Sequence, residues 1–380
     1  MKTLITNAHI ISPELEIKNG AIEITDGKIT AVHHDTENLP SCDETYDAAG
    51  QYAFPGFIDI HAHGADTKDV CDNDLESIRH IAKTKLKEGV TTWLPTTLTQ
   101  PQEKLLEIAE TCATYMRDQE FVKTPGLHIE GPFINVSKAG AQNPQYVREP
   151  NIEELKEIHA IAPATVFSIA PCRPNACEVI REAKTLGISS SAAHSEATNA
   201  QISAAKDAGL THLTHFGNAM TPLHHREIGM VGAGLLDDDL KLELICDGIH
   251  LAPDFLKLVF KTKPIEQIIM ITDSMAGSWI NNGECQLGGL DVVVENKVAR
   301  LKEGGALAGS TLVFNEGVAL VANVTGLPLT EIVKATSWNQ AQSLGLEGVG
   351  KIATGYCADI ALLDKDFNCT QTFVDGVAKL

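Results

Sequence analysis

The chain has 380 residues, 43% of them hydrophobic and 21% charged, enough apolar material for one large domain plus a small one. A formal charge of −20 removes nucleic acid and anionic membranes as main partners, because both reward clustered Lys and Arg. Nine cysteines, an odd number without a CxxC, give no disulfide framework and point to reduced thiols.

Residues 1–8 lack the basic start, apolar core and cleavage site of a signal peptide, and no apolar run reaches membrane-spanning length. The expectation is a cytoplasmic protein. Short strands are predicted over 4–11, 20–25 and 28–33, with Asp26-Gly27 as a hairpin turn. Strands at 357–364 and 371–376 share that character. The two ends are therefore expected to pair into a small β-sandwich domain of residues 1–53 and 345–380.

Between them, over residues 54–344, apolar strand-like runs alternate with amphipathic helices. Eight such runs occur, at 56–61, 90–97, 126–130, 165–170, 188–194, 210–215, 240–247 and 267–273. Helices are predicted at 74–88, 102–117, 152–161, 175–186 and 199–208. This α/β pattern predicts a (β/α)8 TIM-like barrel. An open doubly wound sheet would carry a Gly-rich phosphate turn after its first strand, and none is present. A hairpin-like insert at 283–301 and helices at 311–322 and 329–344 follow.

In such barrels the chemistry stands at the carboxyl ends of the strands. The first run ends in His61 and His63, which strand alternation puts on one face. The third ends in His128-Ile129-Glu130, the fifth in His194 and the sixth in His215. The seventh ends in Asp247-Gly248-Ile249-His250 and the eighth in Thr272-Asp273. Imidazoles with hard carboxylates suit a divalent hydrolytic metal, Zn²⁺ first, with Fe, Co or Mn as alternatives. Such an ion brings the pKa of a water to about 7. Asp273 is the carboxylate placed to take that water's proton and pass it to a leaving amine.

These stretches resemble the amidohydrolase superfamily, and within it the N-acetylglucosamine-6-phosphate deacetylases, over essentially the whole chain. Residues 55–64 resemble the superfamily's opening motif. The more specific stretches are His128-Ile129-Glu130-Gly131-Pro132-Phe133, Ala193-His194-Ser195, residues 214–220, 247–250 and 272–273, and Leu307-Ala308-Gly309-Ser310. The resemblance implies hydrolysis of N-acetylglucosamine 6-phosphate to glucosamine 6-phosphate and acetate. It implies Glu130, His194 and His215 as principal metal ligands and Asp273 as proton donor and acceptor. Both His61 and His63 are kept, as in the branch with two ions, where Glu130 would bridge them; one or two ions remain open.

The resemblance further implies that Asn218 and Ala219 hold the sugar phosphate, with Arg226 reaching in from the neighbouring subunit of a homodimer. Ala141, Gln142, Asp247, Gly248, Ile249 and His250 are expected to contact substrate, and Leu307, Ala308 and Gly309 to lie along the sugar. Next to Ala141, Gln142 stands where relatives carry a histidine thought to polarise the acetyl carbonyl; its amide donates a hydrogen bond but brings no charge. Alternatives are an N-acetylgalactosamine-6-phosphate deacetylase, another amidohydrolase, or a non-catalytic scaffold. The glutamate at 130, where a lysine-bridged relative needs lysine, disfavours the cyclic amidases.

Overall fold

The computed structural model describes residues 2–380. Its largest core is built on a curled parallel sheet. Strands β1 (Phe57–Ala62) and β2 (Val90–Pro95) pair with each other. Strands β3 (Leu127–Glu130), β4 (Ala164–Ile169), β5 (Ser189–Ala192), β6 (Leu210–Leu213), β7 (Lys241–Ile245) and β8 (Ile268–Ile271) form a six-stranded sheet in chain order. Parallel bridges Thr96–His128 and Ala62–Ser274 link the pair to each edge of the six. The strands are predominantly β-branched and aliphatic because both faces are covered. Ile58, Ile60, Leu94, Val166, Ile245, Ile269 and Ile271 fill one face. The other packs on helices such as α1 (Leu75–Leu86), whose first turn is capped by Asp74.

Strand β1 does not alternate strictly. Its register against β2 slips between Asp59 and Ala62. Ile58 and Ile60 share the inner cluster, while Ala62 packs with the helices and Asp59 meets Lys85 of α1. His61 nevertheless joins the residues at the inner rim, so Ile60 and His61 lie on one side of the sheet. A bulge beside a functional rim re-aims a side chain in this way. Beyond it His61 and His63 do share a face, as expected.

The two chain ends pair as expected, in one hydrogen-bonded sheet of eight strands around a shared core. The 11-residue strand Lys2–Ser12 holds it together, pairing with Leu15–Thr25 on one side and with Glu44–Asp47 and Tyr52–Pro55 on the other. Tyr52–Pro55 pairs antiparallel with Ile360–Leu363, joining the two ends of the chain. Residue 53, where the sequence reading ended the small domain, falls inside that strand.

The insert is a three-stranded antiparallel sheet, not a hairpin, over Asn282–Leu287, Leu290–Glu295 and Val298–Leu301. The helix expected at 329–344 is interrupted by a π-helical turn at Lys334–Trp338. Helix Gly229–Leu236 was not among the predicted ones: its Gly-Met-Val-Gly-Ala-Gly-Leu-Leu has no polar face, so no 3.6-residue period shows. No helix among the described residues is long and apolar enough to cross a membrane.

Phe57 sits where the terminal sheet, β1 and helix Phe314–Thr325 meet. Its ring stacks on Phe314 at 4.9 Å and meets Phe54 edge-on at 6.1 Å. Phe57→Ala is expected to lower unfolding free energy by about 3–5 kcal/mol, read from a denaturant midpoint.

Candidate active site

The rim residues follow from how three strands end. β5 stops at Ala192, β6 at Leu213 and β8 at Ile271. Two residues on, His194, His215 and Asp273 take left-handed backbone conformations, with φ of 43°, 34° and 50°. Non-glycine residues adopt these at a cost of about 1–3 kcal/mol each, so the surrounding fold must hold them. For Asp273 the hold is visible: its N–H donates to the His61 carbonyl at 2.8 Å and its carbonyl accepts from Ser310 N–H at 2.7 Å. Gly309 (φ 52°) allows this approach, since a Cβ there would stand 3.1 Å from the Asp273 carbonyl oxygen.

Two donor clusters result, one of Glu130, His194 and His215, the other of His61, His63 and Asp273. In the first, Glu130 Oε1 stands 3.2 Å from His194 Nε2 and 3.1 Å from His215 Nε2, and the two nitrogens are 3.2 Å apart. In the second, His61 Nε2 and His63 Nε2 are 3.2 Å apart, and Asp273 Oδ1 is 3.5 Å and 3.2 Å from them. Glu130 reaches this cluster too, with Oε2 3.3 Å from His63 Nε2 and Oε1 3.6 Å from His61 Nε2.

These donor sets fit a divalent cation. The Nδ1 atoms of His63 and His194 donate to the carbonyls of Thr96 and Lys138, so in the neutral ring each Nε2 turns a lone pair inward. Facing lone pairs and carboxylate oxygens repel unless a cation lies among them. Ligands about 2.0–2.1 Å from a tetrahedral ion stand about 3.3 Å from one another, close to the spacings of both clusters.

Electrostatics agree. Burial by itself lowers an imidazole's pKa, yet the carboxylates of Glu130 and Asp273 outweigh it at His61, His63 and His194. All three are raised, His63 to about 9. Burial pushes the carboxyls up, but the neighbouring histidines prevail and hold Glu130 and Asp273 below their ordinary range. The site therefore draws positive charge, either protons or a metal. His128, between Ile60 O and Ser168 Oγ, is driven by burial to about 3 and stays neutral; it is no part of either cluster.

Above the clusters lies a cavity of about 320 Å³ lined by His63, Glu130, His194, His215, Asp273 and His250, with Ala141, Gln142, Asn218, Ala219, Leu307 and Gly309. Most of the residues expected at substrate thus meet the rim. Gln142 is already engaged: its Nε2 donates to Glu130 Oε2 at 2.6 Å and its Oε1 accepts from Thr99 N–H at 2.6 Å. Asp247, Gly248, Ile249 and Ala308 do not line the cavity. Asp247 instead caps the turn, accepting from Ile249 N–H and His250 N–H and holding His250 Nδ1 at 2.7 Å. Ile249 faces outward, and Ala308 is buried against the insert sheet. Arg226 is exposed on the loop after His225, outside its own chain's cavity.

Sequence reasoning missed Ser137, Lys138 and Ala306 in the lining. It also missed Glu243, fully buried in β7, which accepts from His212 Nδ1 at 2.9 Å and stands 3.9 Å from His61 Nδ1. A glutamate between Leu242 and Leu244 in a strand covered on both faces was the available signal.

A curled parallel sheet with His, Glu and Asp gathered at its carboxyl rim defines a metal-dependent hydrolase. The chain belongs to the amidohydrolase family, which it matches over residues 52–379. It is 34% identical to the N-acetylglucosamine-6-phosphate deacetylase of Bacillus subtilis, covering 98% of this chain and 96% of that one. It is also 34% identical to the N-acetylgalactosamine-6-phosphate deacetylase of Escherichia coli O157:H7, covering 99% of each. A mutant Mycobacterium smegmatis N-acetyl-D-glucosamine-6-phosphate deacetylase, solved in complex with N-acetyl-D-glucosamine-6-phosphate, superposes with a TM-score of 0.93. Identity there is 29%, over 100% of this chain and 99% of that one.

His63, raised to about 9, carries a proton at pH 7 in the metal-free protein and must lose it to a cation. Zinc uptake is therefore expected to release protons at pH 7, and affinity to rise with pH toward 9, where His63 titrates. Calorimetry in buffers of different ionisation enthalpy reads this; identical heats in all buffers would contradict it.

Proposed function

We propose that this protein hydrolyses the acetamide of N-acetylglucosamine 6-phosphate, giving glucosamine 6-phosphate and acetate. The observation that carries the reading is Asp273 Oδ1, 3.2 Å from His63 Nε2 at the floor of the cavity, on the same rim as Glu130. The names of the two N-acetylglucosamine-6-phosphate deacetylases just described support it. In this reading Glu130, His194 and His215 would hold a divalent ion, zinc by preference, and His61 and His63 beside Asp273 would hold a second where two ions bind. The bound ion supplies Lewis acidity and a water acidified toward pKa of about 7.

The chain's own groups do the rest. Asp273, ionised because His61 and His63 outweigh its burial, takes the proton of the attacking water. As the new C–O bond forms and the C–N bond breaks, it returns that proton to the departing amine. Gln142 orients Glu130 and keeps one amide hydrogen free for the acetyl oxygen. Asn218 and Ala219 hold the sugar phosphate, His250 contacts the sugar, and Leu307 and Gly309 line its path. Asp247, with Gly248 and Ile249, acts by holding His250.

Arg226 is exposed, its guanidinium meets only the neighbouring His225 Nε2 at 2.6 Å among the described contacts, and its fork of donors suits a phosphate bound in another chain's site. We propose a homodimer in which it enters the neighbouring site. The finer architecture belongs to the same reading: eight parallel strands closed as a (β/α)8 barrel over residues 54–344, with residues 1–53 and 345–380 as the small domain, working in the cytoplasm. The paired bridges at the edges of β1 and β2 support closure.

A second reading, the galactosamine isomer as substrate, is favoured by the equal identity to the E. coli enzyme. Acetate release from the two sugar phosphates decides between them. The glucosamine isomer is expected to give the higher kcat/KM, and the reverse order would move the assignment. Asp273→Asn is expected to lower kcat by about 10²–10⁴-fold while the protein stays folded. Near-normal turnover in that variant would remove Asp273 as the base.

A further inference from the structure

Directly behind Asp273, away from the cavity, lies a buried cluster that neither metal set includes. Lys85, on α1, is fully buried, and its ammonium has four acceptors within reach. They are Ser274 Oγ at 2.9 Å, Asp59 Oδ2 at 3.0 Å, Glu88 Oε2 at 3.1 Å and Thr272 Oγ1 at 3.2 Å. Thr272 and Ser274 are the two neighbours of Asp273. Asp59 lies on β1, two residues before His61, and accepts the Thr272 hydroxyl at 2.6 Å and the Thr272 N–H at 3.2 Å. Ser274 Oγ passes the link on to the Gly64 carbonyl at 2.9 Å, next to His63. Glu88 is itself fixed by Trp279 Nε1 at 3.1 Å and Phe314 N–H at 3.1 Å.

We infer that Lys85 is a positioning residue for Asp273, tying both its flanks to the strand that carries His61 and His63. The inference rests on the reaction proposed above. Its physical content is a division of labour. The left-handed backbone at Asp273 sits between two residues whose hydroxyls converge on one ammonium, so neither flank can relax separately. An ammonium has three donors and no acceptor, so this shell of two carboxylates and two hydroxyls takes up all of them, one hydrogen being shared. A buried lysine serving stability alone needs only its carboxylates; the contacts to Thr272 and Ser274 are the feature that role leaves unexplained.

Two variants test it. Lys85→Met with Glu88→Gln removes the ammonium and one carboxylate together, keeping the cluster's net charge. Thr272→Val with Ser274→Ala cuts the links to the flanks and leaves Lys85, Asp59 and Glu88 paired. Three readouts are taken on each: the thermal midpoint, zinc affinity by chelator competition, and kcat and KM well below that midpoint. The expected result is a loss of about 10–100-fold in zinc affinity at the weaker site and in kcat, with KM within about threefold. Folded variants whose kcat and zinc affinity stay within about twofold of wild type would overturn the inference.

If the lysine variant does not fold, the Thr272/Ser274 variant decides alone, because its ion pairs are intact. If wild-type protein releases no acetate, the proposed reaction fails while zinc affinity still reports on Lys85.

Discussion

One carboxylate organises this molecule. Glu130 is buried among four imidazoles, its Oε1 within 3.1–3.6 Å of three ring nitrogens and its Oε2 3.3 Å from a fourth. Such an arrangement of lone pairs and negative charge is unstable unless positive charge enters it. Everything else at the rim can be understood as holding that arrangement open for a cation. Thr96 and Lys138 offer backbone carbonyls that fix two imidazoles, and Gln142 satisfies Glu130 from the side.

The scaffold bears the cost of this convergence. Three rim residues sit in left-handed conformations, and β1 slips register so that consecutive residues face inward. The left-handed residues fall just past the ends of their strands. Beneath them the aliphatic layer of Ile58, Val166, Ile245 and Ile269 supplies a stiff floor. The terminal sheet lies away from the chemistry; Phe54 and Phe57 connect it to β1 and so to the two histidines.

Much of this was legible in the sequence for a definite reason. A parallel strand buried on both faces reads as a continuous apolar run, so a His, Glu or Asp at its end stands out. That contrast located His61, His63, Glu130, His194, His215 and Asp273. What escaped notice were residues whose meaning depends on contacts distant in sequence. Lys85 reads as one more lysine on an amphipathic helix, and only the fold brings it to Thr272, 187 positions away. The role of Gln142 was half visible: its amide was read as a donor, but the acceptor it meets is Glu130, the carboxylate among the histidines. His61 and His63 share a face as alternation implied, but the register slip just before them leaves no mark in residue type. Asp247 through Ile249 were read as substrate contacts because they share a motif with His250, whereas the carboxylate of Asp247 is spent within the turn itself.

The central claim is that Glu130 is the shared ligand of a cation site built from both histidine pairs. Anomalous diffraction at the zinc edge from zinc-loaded crystals tests it most directly. The account requires a peak about 2.0–2.2 Å from Glu130 and from the Nε2 atoms of His194 and His215, with any second peak among His61, His63 and Asp273. Ions found only elsewhere on the protein, with these donors left uncoordinated, would contradict it.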